Sequence, residues 1–195
     1  MKSHCPLVYC LLQDNVLFYY LAALRQDRLS EGIRGVGGEV GDAEESAFAH
    51  SAREQLVATV RSKLYDPSIG LYISGAKREV SWRSQVWAVV SGVASKEEAD
   101  GLFERVKKYP DSHPMESATS YAMYIQAMID CGRKDEALEM LKAYFGAMLD
   151  EGADTFFEHF NLGWTFPCQY RHVLMDSYCH AFNSTASYFI RKYFI

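Results

Sequence analysis

The sequence predicts an all-α protein, an incomplete α/α toroid of about seven helices in alternating inner and outer layers. Three observations predict it. Some helical segments are apolar all round, the segments between them carry a single apolar stripe, and only one short stretch reads as a strand. A helix apolar on every face has to bury every face, whereas a striped helix rests on a core with one side and meets water with the other. An alternation of the two kinds along one chain is what an inner and an outer ring require.

The elements follow in order. From Asn15 to about Arg28 the run Val16–Leu24 is apolar on all sides, which predicts a buried helix. The next helix runs from Asp42 to about Leu64. It opens with Asp42 and Glu45 in capping-box spacing and carries Ala49, Ala52, Leu56, Val57 and Val60 on one stripe, so it should be half exposed. Tyr65–Gly70 then reads as a turn, and Leu71-Tyr72-Ile73 as the single strand candidate. Gln85–Val90 is apolar all round apart from Gln85 itself, and predicts a second buried helix. After Ser95, which stands in capping-box spacing to Glu98, Leu102, Phe103 and Val106 mark a striped helix. Tyr121–Ile129 is the third buried helix, closed by Cys131-Gly132, and Asp135 to Leu149 the striped one after it, through Ala137, Leu141, Phe145 and Met148. A last helix is expected from Thr185 to about Tyr193, capped by Ser184. A tetratricopeptide array would need a second copy at a period of about thirty-four residues, and none is present.

With 195 residues, 49% of them hydrophobic and 23% charged, the chain is long enough for one good core and reads as a single domain over 1–195. The net charge of -5 argues against nucleic acid as a partner, since no cluster of Lys and Arg is available to displace counterions from phosphates. Nine apolar residues, Val16–Leu24, are too few to span a bilayer, so no membrane partner is expected. The amino terminus lacks the pattern of a secretory signal, which makes the cytoplasm the default location. Five cysteines without a C-x-x-C pair are expected to be reduced, and six scattered histidines without H-E-x-x-H suggest no metal and no cofactor.

The stretch Gly152-Ala153-Asp154-Thr155-Phe156-Phe157-Glu158-His159-Phe160 is the candidate site. It places a carboxylate among aromatic rings in a glycine-started loop after a long helix. Aromatic faces stack on the apolar faces of a pyranose, and a neighbouring carboxylate can activate a water. The other reading is that the phenylalanines anchor the loop on the core while Glu158 faces solvent. Trp82, before an apolar helix, is either a stacking platform or packing. Gln85, polar where burial is expected, needs a partner, which a sugar or a backbone carbonyl would supply. Glu116, ahead of another apolar helix, is a further carboxylate that an acid role would suit.

Four blocks carry a family likeness: YDPSIGLYISG, SWRSQVWAVVSGVASKEEA, ATSYAMYIQAMIDCGRKDEALEMLKAYFGAMLDEGADTFFEHF and DSYCHAFNSTASYFIRKYF. In this order they resemble the carboxy-terminal half of the six-hairpin catalytic domain of bacterial α-L-rhamnosidases, glycoside hydrolase family 78. The resemblance implies an inverting hydrolase that removes terminal α-L-rhamnose from glycosides, with carbohydrate as its partner. It places Glu158 on the general base of the family's G-A-T-T-F-W-E loop and His180 on a histidine that looks like a sugar-hydroxyl ligand. Trp82, Phe157 and Gln85 complete the expected substrate-binding set. Asp154, Phe157 and Phe182 depart from the family pattern, the last two standing where tryptophan is usual. The acidic, arginine-containing block that would supply the general acid is not among these residues. The alternative is therefore a carbohydrate-binding relative that does not catalyse. Self-association through an open edge of the ring is also expected, because helices flanking a gap lack a neighbour.

Overall fold

The computed structural model describes residues 43–75, 77–160, 162 and 177–195. The expected helix over Asn15–Arg28 and the capping residue Asp42 lie outside them. The described chain is mostly helical and divides into two compact units, the first ending at His113 and the second running from Pro114 to Ile195.

In the first unit, α1 (Ala43–Leu64) meets the expected boundaries, and it buries Val60 and Leu64 while Leu56 and Val57 stay half-buried. Its last turn is tied down by Arg61, whose Nε donates to the Val93 carbonyl at 2.7 Å and whose Nη2 meets Glu98 at 2.6 Å. A three-stranded antiparallel sheet follows: β1 (Tyr65–Asp66), β2 (Leu71–Ser74) and β3 (Glu79–Val80), with β2 in the centre. The sequence pattern marks only the central strand, because β1 and β3 are two residues each and leave no alternation to read. The turn between β1 and β2 is held by Asp66, whose Oδ1 accepts from the Ser68 amide at 2.9 Å and from its hydroxyl at 2.6 Å. Those two bonds, with Arg78 behind them, hold the Asp66 carboxyl below its ordinary pKa.

Helix α2 (Trp82–Val90) is capped by Ser81, which accepts from the Ser84 amide, and all its residues from Ser84 to Val90 are buried. Helix α3 (Lys96–Lys108) has the reciprocal capping box of Ser95 and Glu98 and buries only Ala99, Leu102, Phe103 and Val106. The two pack as a hairpin. One member is enclosed and the other striped, as the periodicity predicts.

The second unit repeats the arrangement with α4 (Ala118–Asp130) and α5 (Lys134–Asp150). Tyr144 of α5 is fully buried, stacked on Tyr121 of α4 at 3.8 Å between ring centroids and edge-on to Phe145 and Phe160. Burial of an aromatic ring of this size contributes about 1.5–3 kcal/mol, so this cluster is the centre of the unit. The chain then closes with a 3-10 turn (Ala181–Asn183), the short α6 (Thr185–Phe189) and a π turn (Ile190–Phe194). Here the expectation of one helix capped by Ser184 is corrected. Ser184 has a near-helical backbone, so its hydroxyl turns back and donates to the Ala181 carbonyl at 2.8 Å instead of capping. The helix also widens from Ile190 onward.

Candidate active site

The candidate loop begins where α5 stops. Gly152 takes φ +85°, its N–H donates to the Leu149 carbonyl at 2.9 Å, and the Ala153 N–H donates to the Met148 carbonyl at 3.1 Å. This pair of bonds is a Schellman motif, which needs a left-handed residue after the helix and so suits glycine. Ala153 and Met148, at the two positions where an apolar pair commonly accompanies this motif, are both buried. From there the chain turns under its own aromatic residues. Phe157 is buried, edge-on to Tyr178 at 5.0 Å and to Phe160 at 6.4 Å, and its amide points at the Met148 sulfur. Phe156 lies edge-on to Phe145 at 6.0 Å.

A second segment, Ser177 to His180, runs alongside. The Glu158 N–H donates to the Ser177 carbonyl at 2.8 Å, and the His180 N–H donates to the Phe156 carbonyl at 2.7 Å. Thr155 adds a hydroxyl bond to the Tyr178 carbonyl. The Ser177 N–H is turned to the Glu158 side chain and donates to Oε2 at 3.1 Å. That carboxylate is one-third exposed, with His159 Nε2 at 4.0 Å from Oε1. Ser117, the N-cap of α4, forms an antiparallel bridge with His159, so the loop is also tied to the start of α4, one residue from Glu116. On the far side Tyr144 Oη donates to the Phe160 carbonyl at 2.7 Å. Burial, and then the neighbouring Tyr121, push the Tyr144 phenol well above its ordinary pKa, so it acts as a neutral donor there.

Glu158 and His180, twenty-two positions apart in sequence, are thus carried on two segments joined by backbone hydrogen bonds. Phe157 shares the loop, but its ring is enclosed by Tyr178 and Phe160, which makes it the loop's anchor. Trp82 and Gln85 belong to the first unit. The Trp82 ring is half-buried and stacked on Phe103 at 6.3 Å. Gln85 is fully buried, and the backbone supplies its partners. Oε1 accepts from the Tyr72 N–H at 2.8 Å, while Nε2 donates to the carbonyls of Tyr72 at 2.8 Å and Ser81 at 3.0 Å. Gln85 therefore locks β2 onto α2, and a sugar has no access to its amide. Two residues of the site escape the sequence reading. Ser177 does so because it acts through its backbone, and Asn183 because its side chain bonds to residues far away in sequence. Among the described residues no group of His, Cys, Asp and Glu is placed to hold a metal ion.

Among solved structures, the fold is similar to that of a rhamnosidase from Klebsiella oxytoca with rhamnose bound, at a TM-score of 0.73 and 37% identity over 80% of this chain. It is also similar to the family 78 rhamnosidase of Bacillus sp. GL1, at a TM-score of 0.68 over 90% of this chain. The chain thus resembles a rhamnosidase over four-fifths of its own length. The Bacillus likeness, at 23% identity, speaks for the fold alone. The fold is accordingly all-α and a portion of the glycosidase α/α toroid. The chain spans 31% of the length of the Klebsiella protein and 18% of the Bacillus one. No protein-family model matches the sequence, and no curated protein matches it.

Proposed function

We propose that this chain carries the general-base part of an inverting α-L-rhamnosidase site, with Glu158 activating the water and His180 holding a sugar hydroxyl. One observation carries the reading: the Glu158 carboxylate is fixed at one oxygen by the Ser177 amide while the side chain keeps about a third of its surface in solvent. A carboxylate of this kind is oriented without being enclosed. Its second oxygen can take a proton from a water that attacks the anomeric carbon from the face opposite the leaving group. The Klebsiella relative, solved with rhamnose bound, supports rhamnose as the sugar.

An inverting hydrolase needs a second carboxyl group about 6.5–9.5 Å from the base to protonate the leaving oxygen. The family's acidic block is not in this sequence, so the chain by itself should bind the sugar and fail to cleave it. The test is twofold. L-rhamnose added to the purified full chain should shift the amide resonances of Glu158, Ser177 and His180, and p-nitrophenyl α-L-rhamnoside should remain intact. The proposal fails if rhamnose moves none of these resonances at any concentration. Hydrolysis that disappears in Glu158→Gln would confirm the base and show that an acid is supplied from within these residues, with Glu116→Gln the next variant to assay.

A further inference from the structure

Asn183 is 2% exposed, and all of its side-chain polar atoms point at the candidate loop or at what holds it. Its Nδ2 donates to the Phe157 carbonyl at 2.8 Å and to the Glu158 carbonyl at 2.8 Å. Its Oδ1 accepts from the Thr119 hydroxyl in the first turn of α4 at 3.0 Å. Its own backbone is fixed too, the N–H donating to the His180 carbonyl at 2.9 Å.

The two carbonyls that Asn183 holds belong to consecutive peptide groups, the ones before and after the Glu158 Cα. Once both planes are fixed, the direction of the Glu158 Cα–Cβ bond is fixed with them. The Ser177 amide then has only to seat the carboxylate at the end of a short side chain. The geometry points to Asn183 as the positioning residue of Glu158, clamping the backbone on both sides of the proposed base and connecting it to α4 and to the His180 segment. This rests on the reading of Glu158 as the base.

The chemistry of the site fits asparagine closely. An amide NH₂ has two hydrogens for two carbonyls, and its oxygen serves as the acceptor for Thr119. Aspartate has the same shape but no hydrogen to give when ionised, and would set a negative oxygen against two carbonyl oxygens in a buried place. Errors of about 1 Å in the placing of a reacting group are enough to lower rates steeply, so a clamp on the base's backbone bears directly on function.

The Ser177 amide proton is the readout, because it bonds to the Glu158 carboxylate and its resonance follows that group's position and protonation. In the full chain carrying Asn183→Asp, the Ser177 amide should lose most of the shift it shows when Glu158 is titrated. The amides of α4 and α5 should stay in place, and rhamnose binding should weaken severalfold. A Ser177 titration shift of wild-type size in Asn183→Asp overturns the proposal. If Asn183→Asp does not fold, Thr119→Val decides instead: the Ser177 shift should diminish, and an unchanged shift overturns the proposal. The wild-type chain separates the two readings. Loss of the Ser177 shift in Asn183→Asp, in a protein whose wild-type form shows no rhamnose-induced shift at Glu158, Ser177 or His180, leaves the clamp standing and removes the functional reading.

Discussion

At the scale of single residues, buried side-chain amides do more for this fold than surface charges. Gln85→Leu would remove three hydrogen bonds from a fully buried side chain, one accepted from the Tyr72 N–H and two given to the Tyr72 and Ser81 carbonyls. Each such bond contributes about 0.5–1.5 kcal/mol, so urea denaturation should show a loss of about 2–4 kcal/mol. Arg78→Ala removes an ion pair to Asp66 whose arginine is 61% exposed, and the same experiment should register about 0–1 kcal/mol. Equal losses in the two variants would contradict this ranking. Tyr72 sets a pH dependence. Burial pushes its phenol up to about 12 against an ordinary value of about 10. The folded state favours the neutral phenol, so this contribution is complete below about pH 10 and is lost as the pH rises toward 12. The urea midpoint should therefore fall across that window, and fall less in Tyr72→Phe.

At the scale of elements, helix ends are where the sequence is most explicit. The Ser95–Glu98 box and the glycine after α5 are both visible as spacing, and both form as read. Gly152→Ala isolates backbone conformation from crowding, because φ is +85° and a Cβ there would meet nothing within 4 Å. The expected loss is about 1–2 kcal/mol from the left-handed backbone alone. A thermal melt unchanged from wild type would mean that the loop leaves this conformation at little cost. Enclosed and striped helices were also legible, since periodicity reports how many faces a helix buries. What could not be read were interactions without a local pattern. Strands β1 and β3 exist because β2 is between them. Gln85 is visible as a polar residue in an apolar run, but which backbone groups it meets depends on tertiary structure. Asn183 gives no signal at all, because the groups it holds lie twenty-five and twenty-six positions earlier. The candidate loop announced its carboxylate and its rings, while the scaffolding that orients the carboxylate stayed hidden.

At the scale of the whole molecule, the second unit bears an open apolar groove of about 500 Å³ bordered by Leu141, Phe145, Phe156, Ala186 and Ile190. Leu149, on its edge, is 67% exposed. Apolar surface left open in this way favours association with other apolar surface. The purified chain is therefore expected to self-associate as concentration rises, with Leu149→Lys reducing the effect. Light scattering that reports a monomer at every concentration would exclude self-association through this face.

The buried amide of Asn183 has a consequence for the chemical lifetime of the protein. Asparagine is among the residues most prone to thermal damage: the nitrogen of the following residue attacks its side-chain carbonyl and expels ammonia, and water then opens the cyclic imide to aspartate or isoaspartate. In the folded chain that nitrogen, on Ser184, is bonded to the Ala181 carbonyl at 3.1 Å, and the Asn183 amide is itself held on both sides. Folding thus shields the residue, whereas each excursion to the unfolded state exposes it. Material that has been heated and cooled should accumulate a more acidic species on ion exchange, altered at the position that holds the Glu158 backbone. Its thermal history would be recorded as a covalent change.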